Sequence, residues 1–401
     1  MNQPIHSDAG VIFDHIQDQM IDRPLLLSPL TLRTIQLRNR IVIAPMCQYA
    51  SKDGSPTDWH LVHLGKFAIG GAGIVFGEET AIEPLGRKTY KCAGIWSDAH
   101  IAQYRRINDF IKAHGSVPAI QLGHAGGKAS CHGALKNWIP LTPENSPAKY
   151  SPWTVTAPSV INSSQQWPKV KEMDRQDIQA ALAQWREATL RSVDAGFDVL
   201  EIHGAHGYLI HEFLSPLTNL RTDAYGGDRE GRMRFALEVA EIVRAAWPQT
   251  LPLFFRVSAV DGKGGVWDMD DTVVLARELK ARGVDVIDCS SGGVTGSTSM
   301  PIVPRVPGYQ VEYAHRVRQE ADIQTMAVGM ITTAHQAEDI LRNGQADLVA
   351  LAREVMWNPH WPAHAAEKLG DEQAYDLLPH DYAFRLHRRD EECNMPVNRV
   401  T

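Results

Sequence analysis

Two histidines and a tyrosine fall within six residues: His203, His206 and Tyr208, in the run EIHGAHGY. Imidazoles at this spacing could bind zinc, act as general bases, or offer a pair of hydrogen-bond donors to one oxygen. Period-2 alternation puts Glu201 and His203 on one face of a strand, so His206 is out of phase and the chain must leave the strand after His203. Gly204 and Gly207 permit that turn. A second centre is Arg256, set between large apolar residues in LFFRVSA. Arginine is rarely buried without a partner. Arg256 therefore pairs with an acid on a neighbouring strand, Glu201 for example, or faces an anionic or electron-rich ligand.

The elements that must position these groups are short apolar runs at 40–46, 72–82, 117–124, 198–206, 252–259, 285–293, 324–331 and 346–353. They are nearly continuous in Val, Ile, Leu and Phe, the signature of parallel strands covered on both sides. Helical segments alternate with them. One opens at Asp174, a cap candidate, and runs to Gly196; others end at Gly283 and Gly344, each glycine suited to a left-handed cap. Eight strands in this rhythm predict an α/β fold, a single-domain (β/α)₈ TIM barrel with long βα loops. Two connections are long, 125–173 and 207–229, and long βα loops of a barrel build or cover its active site.

Barrel active sites lie at the C-terminal strand ends. Here those ends carry Cys47 with Tyr49, Glu78 with Glu79, Gln121 with His124, His203 with His206, Arg256 with Ser258, Ser290 with Ser291, Gly329, and Arg353, which together predict a polar-ringed pocket. Loops after strands seven and eight often take a phosphate, which suits Gly329 and Arg353. A metal site would need a third and fourth ligand at similar depth, and the first strand, RIVIAPM, lacks the histidine pair that barrel hydrolases usually carry. Neither G-x-G-x-x-G nor a P-loop occurs, so a separate dinucleotide-binding domain is not expected and any cofactor must sit on the barrel itself.

The bulk composition excludes other classes. Net charge is −7, from 40 basic and 47 acidic residues well mixed along 401, with no basic tract for nucleic acid. No apolar run reaches the roughly 18 residues that span a bilayer, and the N-terminus lacks a signal-peptide core. Five cysteines without C-x-x-C spacing fit reduced thiols in a cytoplasmic protein. Residues 1–23 read as an extension outside the repeating pattern, with a short amphipathic helix in FDHIQDQMID.

The segments APMCQYAS, AIQLGHAGGKAS, EIHGAHGYLIHEFLSPLTNLRTDAYGGD, FFRVSA, DVIDCSSGG, AVGMIT and ADLVALARE resemble, in order, the Old Yellow Enzyme family, and its bacterial xenobiotic-reductase branch in having cysteine after Pro-Met. The likeness runs from about residue 25 to about 365. It implies FMN on a barrel spanning 24–370, with 371–401 a tail open to subunit contact, NADPH or NADH as reductant, activated alkenes as substrates, and a homodimer or homotetramer. It further implies that Ala44, Pro45, Met46 and Cys47 line the flavin, with Cys47 near N5 and tuning its redox potential, and that Gln121 bonds the pyrimidine ring. Arg256 would face the N1/O2 edge, and Gly329, Ala352 and Arg353 would hold the phosphate. His203 and His206 would grip a substrate oxygen, Tyr49 would touch substrate, and Tyr208 would donate the proton. Three positions depart from the family pattern: Glu79 replaces a small residue beside the flavin, Gly127 replaces an arginine, and Ala352 replaces a glycine. Arg385 is the candidate for an arginine that completes a neighbouring subunit's pocket. The rival readings are a metal-dependent barrel hydrolase and a non-catalytic flavin-binding barrel.

Overall fold

Each of the eight apolar runs forms a strand in the computed structural model, which describes residues 23–161, 170–262, 267–294 and 305–394. The strands are β1 (Ile41–Ile43), β2 (Ile74–Ala81), β3 (Val117–Gly123), β4 (Val199–Gly204), β5 (Leu253–Ser258), β6 (Val286–Ser290), β7 (Gln324–Val328) and β8 (Leu348–Leu351). They close into one barrel in sequence order, every neighbouring pair parallel. The helices around it are α1 (Asp58–Ile69), α2 (Ile101–Ala113), α3 (Arg175–Asp194), α4 (Leu209–Leu214), α5 (Arg229–Ala246), α6 (Met269–Ala281), α7 (Val311–Ala321), α8 (Ala334–Arg342), α9 (Arg353–Trp357), α10 (Trp361–Lys368) and α11 (His380–Asn394). The expected helix at 13–22, and Trp167 of the long loop, lie outside the described residues. Among the described residues no helix is long and apolar enough to cross a membrane.

Local chemistry sets the helix ends. Asp174 accepts hydrogen bonds from the amides of Gln176 and Asp177, relieving two of the unpaired donors that open α3. Gly196, Gly283 and Gly344 have φ of +79°, +85° and +64°, the left-handed conformation expected where a helix turns back into a strand.

Two cores result. The larger lies between strands and helices and contains Phe67, Trp185, Phe213, Phe235, Trp247 and Trp267; Ala374 and Leu377, beyond α10, are also buried in it. The smaller fills the lower barrel, where Val42, Ile74, Phe76, Val199, Phe254, Val286, Met326 and Leu348 meet. A hairpin of Leu30–Leu32 and Ile35–Leu37 adds Leu32 and Leu37 to it. Above this apolar layer the inward positions turn polar, and that change of chemistry begins the site.

Candidate functional site

The first polar layer consists of Gln121, Glu201, Arg256 and Asp288, all buried. Strand register sets them together: Gln121 is level with Glu201, and Asp288 with Arg256. The Gln121 amide donates to Glu201 Oε1 at 2.7 Å, and Arg256 Nε lies 3.1 Å from Asp288 Oδ2. Arg256 thus pairs with Asp288 rather than with Glu201, the acid singled out from the sequence. The contact is close but poorly aligned, so Arg256 Nε, both Asp288 carboxylate oxygens and Glu201 Oε2 lack a well-formed hydrogen bond. Burial, and then Asp288, raises the Glu201 carboxyl well above the carboxylate range; burial raises Asp288 too, against the pull of Arg256. One guanidinium serving two buried carboxyls leaves the layer holding a proton that surface acids would have lost.

His203, His206 and Tyr208 come together one layer higher. The imidazole centroids are 5.0 Å apart, and Tyr208 lies edge-on to His203 at 5.1 Å. His203 Nδ1 accepts from the amide of Ala205, which places the ring proton on Nε2. That nitrogen is 3.3 Å from His206 Nδ1, and His206 Nε2 is 2.7 Å from Ser290 Oγ. The two N–H groups therefore form a relay from His203 through His206 to Ser290, instead of two free parallel donors. Burial, with Arg256 nearby, lowers both imidazoles far below the ordinary histidine range, so both are neutral. The Tyr208 hydroxyl is raised by burial and stays protonated.

The turn after β4 explains the out-of-phase histidine. His206 has φ of +61° and Gly207 of +70°. Gly204 is still in the strand, where a side chain would collide with Phe255 at 2.3 Å; it permits close packing rather than the turn. A left-handed histidine needs support. The His206 amide donates to Ser258 Oγ at 2.9 Å, Lys128 Nζ donates to the carbonyls of His206 and Gly293, and the Gly207 amide donates to His211 Nδ1 at 2.9 Å. His211 is fixed in turn by Asp261 at 3.0 Å.

On the opposite rim, the segment after β1 carries Ala44, Pro45, Met46, Cys47 and Tyr49, all but Ala44 half-buried. The Tyr49 hydroxyl accepts from Trp138 Nε1 at 3.3 Å, tying this rim to the long loop after β3. A shift of register in β2 between Phe76 and Glu79 sends the two adjacent glutamates to different partners. Glu78 Oε1 meets His60 of α1 at 2.9 Å. Glu79 forms an ion pair with buried Lys88 at 2.9 Å, and Lys88 Nζ donates to Cys47 Sγ at 2.8 Å. Lys88 was not picked out from the sequence; a carboxylate at an inward strand position was the signal that a cation must lie opposite. Lys128 and Asp288 were missed in the same way.

The third region is a cavity of about 390 Å³ at the ends of β5 to β8, lined by Arg256, Ser290, Gly329, Ala352 and Arg353 among others. Gly329 has φ of +129°, and a Cβ there would crowd Tyr309 at 3.1 Å and Gln310 at 3.2 Å. These features fit FMN. The cavity joins the arginine expected at the ring's electron-rich edge to the glycine and arginine expected at its phosphate, and Arg256 keeps an unsatisfied donor. Arg385 is exposed on α11, beside exposed Tyr382 and Phe384. Among the described residues no three His, Cys, Asp or Glu side chains cluster so as to hold a metal.

Comparison with known proteins shows the family. Residues 25–372 match the NADH:flavin oxidoreductase / NADH oxidase family. The chain is 44% identical to an NADPH dehydrogenase of Geobacillus sp. (strain WCH70) over 349 residues, covering 86% of this chain and 95% of that protein. It is 42% identical to an NADPH dehydrogenase of Bacillus subtilis (strain 168), covering 86% and 96%. Morphinone reductase in complex with tetrahydroNAD superposes with a TM-score of 0.70 at 25% identity, over 87% of this chain and 92% of that one. The old yellow enzyme homologue from Zymomonas mobilis shares the fold, with a TM-score of 0.69 at 24% identity over 90% of this chain and 99% of that one. A closed parallel barrel whose mouth fits FMN, matched along nearly its whole length, makes this chain a member of the NADH:flavin oxidoreductase / NADH oxidase family, an Old Yellow Enzyme-like, NAD(P)H-dependent FMN oxidoreductase.

Proposed function

We propose that the enzyme is an ene-reductase for activated alkenes: enones, enals, maleimides and nitroalkenes. The observation that carries this reading is the neutral pair His203 and His206, bonded to each other at 3.3 Å beside the protonated Tyr208. FMN, when bound, would supply the two-electron chemistry that links nicotinamide oxidation to alkene reduction. Ala44 to Cys47, Glu79, Gln121 and Arg256 would hold its ring; Gly329, Ala352 and Arg353 would hold its phosphate.

The chain's own work is electrostatic. Negative charge grows on the substrate carbonyl or nitro oxygen as the β-carbon accepts hydride. A neutral imidazole N–H lowers the energy of that charge without bringing a proton acidic enough to be lost to it. The relay prepares the donors: an incoming oxygen takes the N–H of His203 from His206, and His206 keeps its bond to Ser290 or turns toward the oxygen. Tyr208, still protonated, delivers the proton to the α-carbon. Tyr49 and Trp138 form the facing wall and restrict the substrate's tilt. One mouth serves nicotinamide and alkene in turn, in keeping with a barrel that carries no separate dinucleotide-binding motif.

Removing one such donor costs about 2.7–4 kcal/mol in barrier, roughly a hundredfold or more in rate. We expect His203→Ala to slow reoxidation by 2-cyclohexenone by that factor in stopped flow, while reduction by NADPH changes much less. Equal losses in both half-reactions would defeat the assignment.

A further inference from the structure

The ion pair of Glu79 and Lys88 belongs to no step above. Lys88 is 4% exposed and Glu79 3%. Burying an ammonium and a carboxylate is costly, and an apolar pair of the same volume is commonly as stable, so stability alone gives little reason for it. Its position is the informative point. Lys88 Nζ touches Glu79 Oε2 at 2.9 Å and Cys47 Sγ at 2.8 Å, and it sits over the face of Tyr208, 5.0 Å from the ring centroid. The couple is thus directional, its positive end on the sulfur. Glu79 Oε1 has no hydrogen-bond partner, so the negative end is not quenched locally.

We propose that Glu79 and Lys88 form a charge couple that sets the electron affinity of the flavin site through Cys47, Lys88 favouring the reduced state and Glu79 restraining it. This rests on the reading that places Cys47 beside the flavin ring. The sulfur accepts a hydrogen bond from a cation, which draws electron density from it and from whatever it contacts. Burial raises the Cys47 thiol, with Lys88 opposing, so the sulfur is a thiol that Lys88 polarises. Burial works to lower Lys88, yet its neighbours, the Glu79 carboxylate among them, hold it well above the ordinary lysine range, so its charge is permanent in working conditions. Lys88 and Glu79 are positioning residues here, acting through Cys47, and Glu79 stands where the family pattern has a small side chain.

The test is the reduction potential of the FMN-loaded protein, measured by dye equilibration with visible spectra, for wild type, Cys47→Ala, Lys88→Met, Glu79→Gln, the double Glu79→Ala/Lys88→Met, and Lys88→Met/Cys47→Ala. Glu79→Gln leaves the cation uncompensated and shifts the equilibrium toward reduced FMN about tenfold, roughly 30 mV for a two-electron couple. Lys88→Met, which removes the charge in contact with the sulfur itself, shifts it by a larger factor toward oxidised FMN. The double charge removal falls between Lys88→Met and wild type, and it carries the test if Glu79 without its counter-ion prevents folding. In the Cys47→Ala background the Lys88→Met shift falls by at least half. A double charge variant identical to wild type in potential and spectrum, while Cys47→Ala shifts both, overturns the couple and leaves the reading of Cys47 intact. A Cys47→Ala that shifts neither removes Cys47 from the ring, and the proposal falls with it.

Discussion

Glu212 gives a prediction whose size follows from the structure. It sits in the first turn of α4, buried, and accepts from the Gly127 amide with both carboxylate oxygens at 3.1 Å. In the family pattern residue 127 is an arginine, and here Gly127 offers the acid its amide but no cation. Burial raises the Glu212 carboxyl from 4.5 to about 8, against the Gly127 amide and Lys128. The native state therefore binds a proton that the unfolded chain has released. Stability from this group is full below pH 4.5, falls as pH rises, and is lost once pH passes about 8. At about 1.4 kcal/mol per pH unit, the ceiling between pH 5 and 8 is about 4 kcal/mol. Lys128 is lowered by burial to about 8, and its own cost begins to lift only above that pH, so the window below 8 isolates Glu212. Glu212→Gln keeps the shape and an acceptor for Gly127. In urea unfolding of the FMN-loaded enzyme, we expect wild type and variant to be alike at pH 5 and the variant to be more stable by at least about 2 kcal/mol at pH 8. Parallel stability curves across that range would refute the argument. The low imidazoles of His203 and His206 give a slope of opposite sign, but it is common to both proteins and cancels in the difference.

Other substitutions test the rest of the site. Gly329→Ala should cost about 1–3 kcal/mol from backbone strain and weaken FMN binding in a fluorescence titration. Gly196→Ala, left-handed at +79° with nothing within 4 Å of the added methyl, should show the strain without the FMN defect. Arg256→Met leaves Glu201 and Asp288 with no cation. It should lose about 3–5 kcal/mol in urea unfolding, whereas Asp288→Asn, which leaves Arg256 opposite Glu201, should lose less. Tyr208→Phe should slow reoxidation by poorly activated enones and leave reduction by NADPH near wild type; an unchanged alkene rate in stopped flow removes Tyr208 as the acid.

The strands were legible in the sequence because parallel barrel strands are apolar on both faces, and each of the eight runs carried that mark. Position in strand order then identified the mouth, and with it His203, Arg256 and Gly329. What stayed hidden was pairing. Asp288 alternates with Val286 and Ser290 and so points inward by the same period-2 rule that picked out Glu201, yet only register tells which acid lies level with Arg256. Lys88 and Lys128 come from loops, where no period applies. The left-handed turn at His206 was equally hidden: the glycines beside it suggested a tight bend, but the bend falls on the histidine and is held by Ser258, Lys128 and His211 from three other segments. Sequence spacing reports local geometry, and these are long-range bonds.

The same division explains how one barrel tolerates so many buried charges at its mouth. Packing in the large helix–strand core and the apolar lower barrel holds the fold, with the hairpin of residues 30–37 adding to the latter. The upper interior is then free to be chosen for its field. Its charges are not scattered. Arg256 with Glu201 and Asp288 lies deepest, Lys88 with Glu79 forms a second group at the Cys47 rim, and Lys128 near Glu212 backs the His206 turn. Each cation lies beside at least one acid, and each acid limits what its cation can do. A site assembled this way can be adjusted by changing one partner of one pair while the cores below stay intact. That predicts that mutations in the three groups change flavin affinity, potential or pH response separately, with coupling between groups small beside the coupling within them.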